Sequence, residues 1–393
     1  MRAHEIRVKA AETGEKWPVS VTDHKDKYMY RFDRKRVREA YMTTAFPEER
    51  YLISSEIIPG DNSVIPLEEE VPDEGSIVLA GDSIKIRLGK RVAKGGEGTI
   101  YETNTPFLAK IYHADHTTLR TKEKIELMLS KRIECDGICY PVAMLFNRHQ
   151  QFIGYLMPKG DGQTLKKLFV RPLQKRYFPD WNRRDLVRLC VSVLEKIKYL
   201  HDRNIIIGDI NENNILVKSP EEIYFVDTDS YQIEGFPCPV GTVPFTAPEI
   251  QGIHFGTFLR TKGHEGFSIA TLLFMIMLLG KTPYAQQGGE DQAENIKNMD
   301  FPYGRIGDSY KDSAPVGGWP YMWSHLMPYV KTAFAETFLK DGKYAKERTR
   351  LDAYEWLDIF SAYLTDFDSG AIESYDPESL ELYPTRYKGY GYY

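Results

Sequence analysis

The chain has 393 residues, of which 42% are hydrophobic and 27% charged, with a net charge of −5. That length exceeds one small core and suits two lobes with extensions, and the mild negative balance gives no electrostatic footing for a nucleic-acid partner. The longest apolar run, residues 267–279, is too short to cross a bilayer, and Cys135, Cys139, Cys190 and Cys238 have neither paired nor zinc-type spacing, so free thiols in the cytoplasm are expected.

Residues 1–76 form an N-terminal extension and linker. Short alternating stretches at 5–9, 28–33 and 51–56, with one helical candidate at 34–41, read as a small β-rich unit, and residues 58–76 as an acidic Pro- and Gly-rich linker or exposed loop. From residue 77 the pattern turns β-prone, at 77–80, 83–88, 98–103, 107–112, 140–146 and 152–157. A helix at 121–131 interrupts it, with Ile125, Met128 and Leu129 on one side. The expected layout for 77–158 is a five-strand antiparallel sheet with a single helix on one face.

Residues 159–364 are mainly helical. The spacing of Val187, Cys190, Leu194 and Ile197 predicts an amphipathic helix over 184–201 that Asn204 is suited to end, and residues 268–279 predict a helix buried all round. Residues 365–393 form a Tyr-rich acidic tail without periodicity.

Four separated pieces carry chemistry. Gly95, Gly96 and Gly98 sit in a turn between two strands, where missing side chains let backbone N–H groups approach phosphate oxygens. Lys110 lies inside an apolar strand and needs a carboxylate if it points inward; the following helix offers Glu123 or Glu126. Asp209 and Asn214 stand five apart in a loop before an apolar strand, with Asp227 thirteen residues later at the end of the next strand. A carboxylate can take a hydroxyl proton, and an amide oxygen with a second carboxylate can share a metal.

This ordered set resembles the protein kinase family: Gly95, Gly98 and Ile100 match its Gly-rich loop and Lys110 its VAIK strand. Asp209 and Asn214 match the catalytic loop, Asp227 the DFG position, and Ala247-Pro248-Glu249 the APE motif. The segments 206–217, 226–232 and 240–252 are similar to a divergent bacterial group of serine/threonine kinases associated with tellurite-resistance-type proteins. The resemblance implies an α+β, bilobal protein-kinase-like fold and phosphoryl transfer from ATP with Mg²⁺ (or Mn²⁺) to protein serine and threonine hydroxyls, autophosphorylation included. Asp209 would act on the acceptor hydroxyl, Lys110 held by Glu123 on the phosphates, and Asn214 and Asp227 on the metal. The nucleotide would meet Gly95, Gly96, Gly98 and Ile100, with Met157 in a hinge at 155–160. Arg350 would pair with Glu249. Ser230, Thr242 and Thr246 are hydroxyls open to autophosphorylation. A protein substrate, a phosphatase and a von Willebrand A-domain protein are the implied partners, with no nucleic acid and no membrane.

Departures from the pattern point to two rival functions. Ile207 and Gly208 replace the His and Arg before Asp209, Asn211 replaces a phosphate-contacting lysine, and Thr228 and Asp229 replace Phe and Gly of DFG. The lost lysine contact is worth about 10- to 150-fold in rate. A nucleotide-binding pseudokinase scaffold is one rival. A small-molecule phosphotransferase is the other, although residues 241–249 resemble a peptide platform.

Overall fold

The computed structural model describes residues 19–22, 29–32, 57, 61–81, 84–287, 291–308 and 311–388. They fall into two compact units divided after Leu52. In the first, β1 (Val19–Thr22) pairs antiparallel with β2 (Met29–Phe32), inside the stretch expected at 28–33. The strands expected at 5–9 and 51–56 and the helix at 34–41 lie outside the described residues.

The second unit opens with six strands: β3 (Ile77–Ala80), β4 (Ile84–Lys94), β5 (Gly98–Thr103), β6 (Phe107–Tyr112), β7 (Ala143–Phe146) and β8 (Phe152–Pro158). Each falls on one of the six β-prone segments, although the expected layout was a five-strand antiparallel sheet. The extra pairing of β3 with β7, through Leu79↔Phe146 and Ala80↔Leu145, closes the order β3-β4-β5-β6-β8-β7 into a barrel. Closure follows from alternation, since Val78, Ile86, Leu88, Tyr101, Ala109, Ile111, Leu145 and Ile153 all face one interior. Gly154 permits the tightest approach, because a Cβ there would meet the Lys110 carbonyl at 2.0 Å.

One helix, α1 (Leu119–Lys131), packs on this barrel, its start capped by the Thr118 hydroxyl accepting from the Thr121 N–H. Its inward stripe is Ile125 and Met128. Residues 61–65, within the expected linker, run beside the start of α1. The Ile65 N–H donates to Thr117 O, and the Leu119 and Arg120 N–H groups donate to Ser63 O and Asp61 O.

Beyond β9 (Gln163–Thr164) the chain is mainly helical: α2 (Lys166–Phe169), α3 (Arg171–Tyr177), α4 (Arg183–His201), α5 (Lys262–Met277), α6 (Gln292–Asn298), α7 (Trp319–Ser324), α8 (Pro328–Phe338), α9 (Ala353–Asp368) and α10 (Ala371–Tyr375). Every residue of α5 from Gly263 to Met277 is buried, as its unbroken apolar sequence requires. Asn204, just beyond α4, takes φ 55°, a left-handed turn asparagine tolerates. Between α4 and α5 lie β10 (Ile205–Ile206), β11 (Ile215–Val217), β12 (Ile223–Phe225) and β13 (Gln232–Ile233), with β12-β11-β9 one small sheet and β10-β13 another. The second unit is therefore α+β and two-lobed. No helix among the described residues is long and apolar enough to cross a membrane.

Candidate active site

Strand pairing delivers the site residues to one cleft. Lys110 lies opposite Ile100 on β5 and Tyr155 on β8, so Ile100 and Lys110 share the cleft face of the barrel. Met157 sits nearly buried opposite Leu108, leading into Lys159 and Gly160. Leu216, on the face of β11 opposite buried Ile215 and Val217, would put its Cδ1 3.1 Å from a Cβ at Gly160. It sets an apolar side chain beside the 157–160 segment, unforeseen in the sequence although its place between two core residues marks it. Above lies the β4–β5 turn, where the Gly95 N–H donates to Gly98 O at 2.9 Å. A Cβ on Gly98 would meet Ile111 O at 2.5 Å, so the close strand approach demands glycine there.

Lys110 does not meet Glu123 or Glu126. Both glutamates are exposed, and Glu126 pairs instead with Lys122 at 3.5 Å. The expected lysine–glutamate pair is corrected by helix phase: Ile125 and Met128 claim the inward stripe, which turns the glutamates to solvent. The lysine ammonium instead donates to both oxygens of Asp229, at 2.8 and 2.7 Å, and to Asp227 Oδ1 at 3.1 Å. Asp229 also accepts from the Tyr112 hydroxyl at 2.7 Å. Burial opposes both charges. The attraction prevails, led by Asp229 for the lysine and by Lys110 for the carboxyl, so Lys110 is held above its ordinary pKa and Asp229 below its own. Asp229 was missed because a DFG-like reading stops at Asp227. An acid at the position where the DFG pattern has glycine was the available signal.

Asp227 adopts φ 57°, ψ 41°, the left-handed region that aspartate enters more readily than most residues. The turn projects its half-exposed carboxylate into the cleft, while the next residue is fixed by the Thr228 hydroxyl donating to Cys139 O at 2.9 Å. On the facing loop, Asp209 accepts at Oδ1 from the Thr242 hydroxyl (2.9 Å) and at Oδ2 from Asn211 Nδ2 (2.9 Å). Asn214 Nδ2 donates to the Asp209 carbonyl at 3.1 Å, and the Val226 N–H to the Asn214 carbonyl at 3.0 Å. These bonds bring Asp209, Asn214 and Asp227 together. The loop is itself anchored by buried Glu265 of α5, which accepts from the Ile207 and Gly208 N–H groups at 3.1 and 2.7 Å and from His201 Nε2 at 2.9 Å.

The donor set fits a hard divalent cation. Among the described residues, Asn214 Oδ1 and Asp227 Oδ2 have no protein donor, and both are oxygens of the kind that Mg²⁺ or Mn²⁺ takes. Below the cleft, Glu249 is held by Arg350, whose Nη2 donates to Oε2 at 2.8 Å and whose Nη1 reaches Oε1, so the pairing expected from the sequence is present.

Residues 90–316 match the protein kinase domain family, which is more than half of the chain. The chain is 27% identical over 269 residues to the protein kinase YegI of Escherichia coli, covering 65% of this chain and 41% of that protein. It is 28% identical over 145 residues to the ovarian-specific serine/threonine-protein kinase Lok of Drosophila melanogaster, over 35% of this chain and 28% of that one. A calcium/calmodulin-dependent protein kinase, cmkB of Emericella nidulans, is 26% identical over 146 residues, or 35% of this chain and 34% of that one. The chain thus spans about two fifths of the length of the bacterial relative. With more than half of its residues matching that domain, the chain belongs to the protein kinase family.

Proposed function

We propose that this protein transfers the γ-phosphoryl group of ATP, with Mg²⁺ (or Mn²⁺), to serine and threonine hydroxyls of proteins, its own included, in the cytoplasm. The carrying observation is Asp209, whose carboxylate is aimed by Thr242 and Asn211 and stands in one cleft with Asn214, Asp227 and Lys110. Lys110, fixed from behind by Asp229, presents its ammonium to the α- and β-phosphates, and backbone N–H groups of Gly96 and Gly98 cover them, that of Gly95 being spent on closing the turn. Ile100, Met157 and Leu216 border the adenine. A divalent metal bound by Asn214 and Asp227 would neutralise phosphate charge. Asp209 orients the acceptor hydroxyl and takes its proton as the acceptor oxygen bonds to the γ-phosphorus and the bond from that phosphorus to the bridging oxygen breaks, releasing ADP. Glu123 has no part in this scheme.

Free thiols at all four cysteines support a reducing compartment. All three candidate autophosphorylation sites donate hydrogen bonds, Ser230 to Asp227 O at 2.8 Å, but Thr242 holds Asp209 and Thr246 is buried, whereas Ser230 is half-buried and is the favoured acceptor. Its detection in phosphosite mapping, and its loss in Asp209→Asn, test that reading. A phosphatase and a von Willebrand A-domain protein are the proposed partners, and their co-purification with the full chain from its host is the check.

The function is tested by following γ-phosphate from ATP to the protein itself and to a generic basic protein. Asp209→Asn lowers kcat by about 10²- to 10⁴-fold while nucleotide binding survives, and Asp227→Ala abolishes metal-dependent transfer. One observation favours a second reading: both Asp209 oxygens already accept hydrogen bonds, and Asn211 stands where a lysine is usual. Metal-dependent ATP binding without any transfer would establish a pseudokinase scaffold. Turnover of aminoglycosides but no protein would establish a small-molecule phosphotransferase.

A further inference from the structure

Arg260, just before α5, is a buried guanidinium, only 5% exposed, with no carboxylate in ion-pair range among the described residues. Burying such a charge costs several kcal/mol unless its donors are filled. Here Nη1 donates to Cys238 O at 2.8 Å and Nη2 to Val240 O at 2.6 Å, and the guanidinium carbon lies 3.8 Å from the centre of the Phe255 ring. Its backbone forms a reciprocal pair with buried Gln232: the Arg260 N–H donates to Gln232 Oε1 at 2.8 Å, and Gln232 Nε2 donates to Arg260 O at 2.7 Å. All four bonds end within residues 232–240, the stretch joining Asp227 to Thr242.

The packing around the guanidinium leaves no room for side chains. A Cβ on Gly241 would lie 2.6 Å from Nη2. One on Gly208 would lie 3.1 Å from Nη1 and 2.5 Å from Cys238 Cβ. Two residues past Val240, the Thr242 hydroxyl reaches Asp209. The chain between the clamp and the catalytic carboxylate is too short for slack, so the clamp sets where Thr242 arrives.

We propose that Arg260 is a positioning residue that holds residues 232–242 in the working shape without any phosphate group, so that the unmodified chain already presents Thr242 to Asp209. The proposal rests on Asp209 being the group that receives the acceptor proton. Every group that Arg260 bonds is a neutral backbone carbonyl or side-chain amide, which makes the clamp a permanent part of the fold and independent of a modification.

The test uses the full chain, treated with a broad-specificity phosphatase until mass spectrometry finds no phosphate, together with Arg260→Lys. Lysine keeps the charge and the stem but cannot fork to two carbonyls. The dephosphorylated wild type should keep kcat within about 2-fold in its first turnovers. Arg260→Lys should lower kcat by about 10- to 100-fold, with KM for ATP within about 2-fold. Amide hydrogen exchange should rise at residues 238–242 and stay unchanged in α5 and the barrel. Activity lost on dephosphorylation and restored by rephosphorylation would overturn the proposal, as would wild-type kcat and exchange in Arg260→Lys. Should the wild type transfer no phosphate at all, the kinase reading fails, and exchange at 238–242 still decides whether Arg260 holds the segment.

Discussion

Two buried cations, Lys110 in the cleft and Arg350 beneath it, have opposite electrostatic settings. Arg350, 1% exposed, meets one carboxylate, Glu249, through both oxygens; its two Nη groups also donate to Gly263 O at 3.2 Å and Ala345 O at 3.0 Å, and only Nε is left without a partner. Its charge is balanced and its donors are largely spent. Nearby His264 extends a closed network: its Nδ1 accepts the Thr261 N–H at 3.0 Å, so Nε2 carries the proton and faces Glu347 at 3.5 Å and Glu249 at 3.8 Å as a donor. Lys110, 7% exposed, faces three carboxylates, with Asp229 in contact, Asp227 at 3.1 Å and Glu97 at 3.9 Å. One ammonium cannot balance three anions, and the excess negative charge is what a divalent cation relieves. A balanced pair fixes a fold, whereas an unbalanced one marks a place that binds.

The contrast breaks most visibly through stability. Arg350→Ala should cost about 3–5 kcal/mol in urea unfolding, because it leaves Glu249 unpaired in a partly buried place, while nucleotide affinity of the folded variant stays unchanged. A cost below about 1 kcal/mol would show a rim contact instead.

The contrast sharpens through catalysis. Asp229→Asn should lower kcat/KM for ATP by about 10- to 150-fold, the worth of a charge-assisted hydrogen bond. Glu123→Ala and Glu126→Ala should stay within about 2-fold. A loss in Glu123→Ala matching that of Asp229→Asn would mean that α1 rotates toward Lys110 in the working enzyme.

The smallest effect lies in pH. The Asp229 carboxyl is depressed below its ordinary 3.8: burial pushes it up, but Lys110 and Tyr112 outweigh that. Its stabilisation is therefore present above pH 3.8 and disappears as pH falls through the lower folded value. Burial lowers and the acids raise the lysine, with the acids winning, so its share persists to pH 10.5 and is lost only above that. Acid unfolding followed by circular dichroism should steepen below pH 3.8 in wild type and less so in Asp229→Asn, with a constant gap across neutral pH. A gap that changes around pH 7 would implicate another group.

Much of the site was legible because its chemistry demands particular residues at short spacings. Gly98 must lack a side chain, Asp209 and Asn214 must share one loop, and Asp227 must end the next strand, so their order along the chain nearly specifies the cleft. The glutamate assignment failed for a reason of phase. Ile125 and Met128 hold the inward stripe of α1, and positions 123 and 126 fall outside it. The barrel closure escaped notice because β3 pairs with β7 more than sixty residues away, with no local signal.

The sequence by itself determined the family, the two-lobe division, the catalytic and metal-binding candidates and the pairing of Glu249 with Arg350. Only the tertiary structure decided which carboxylate Lys110 meets, how Arg260 is filled, and that Leu216 lies beside the 157–160 segment. The reason is range: strand alternation, turns and motif spacing are set by neighbouring residues, whereas the choice among Glu123, Glu126 and Asp229 depends on how the whole of α1 packs.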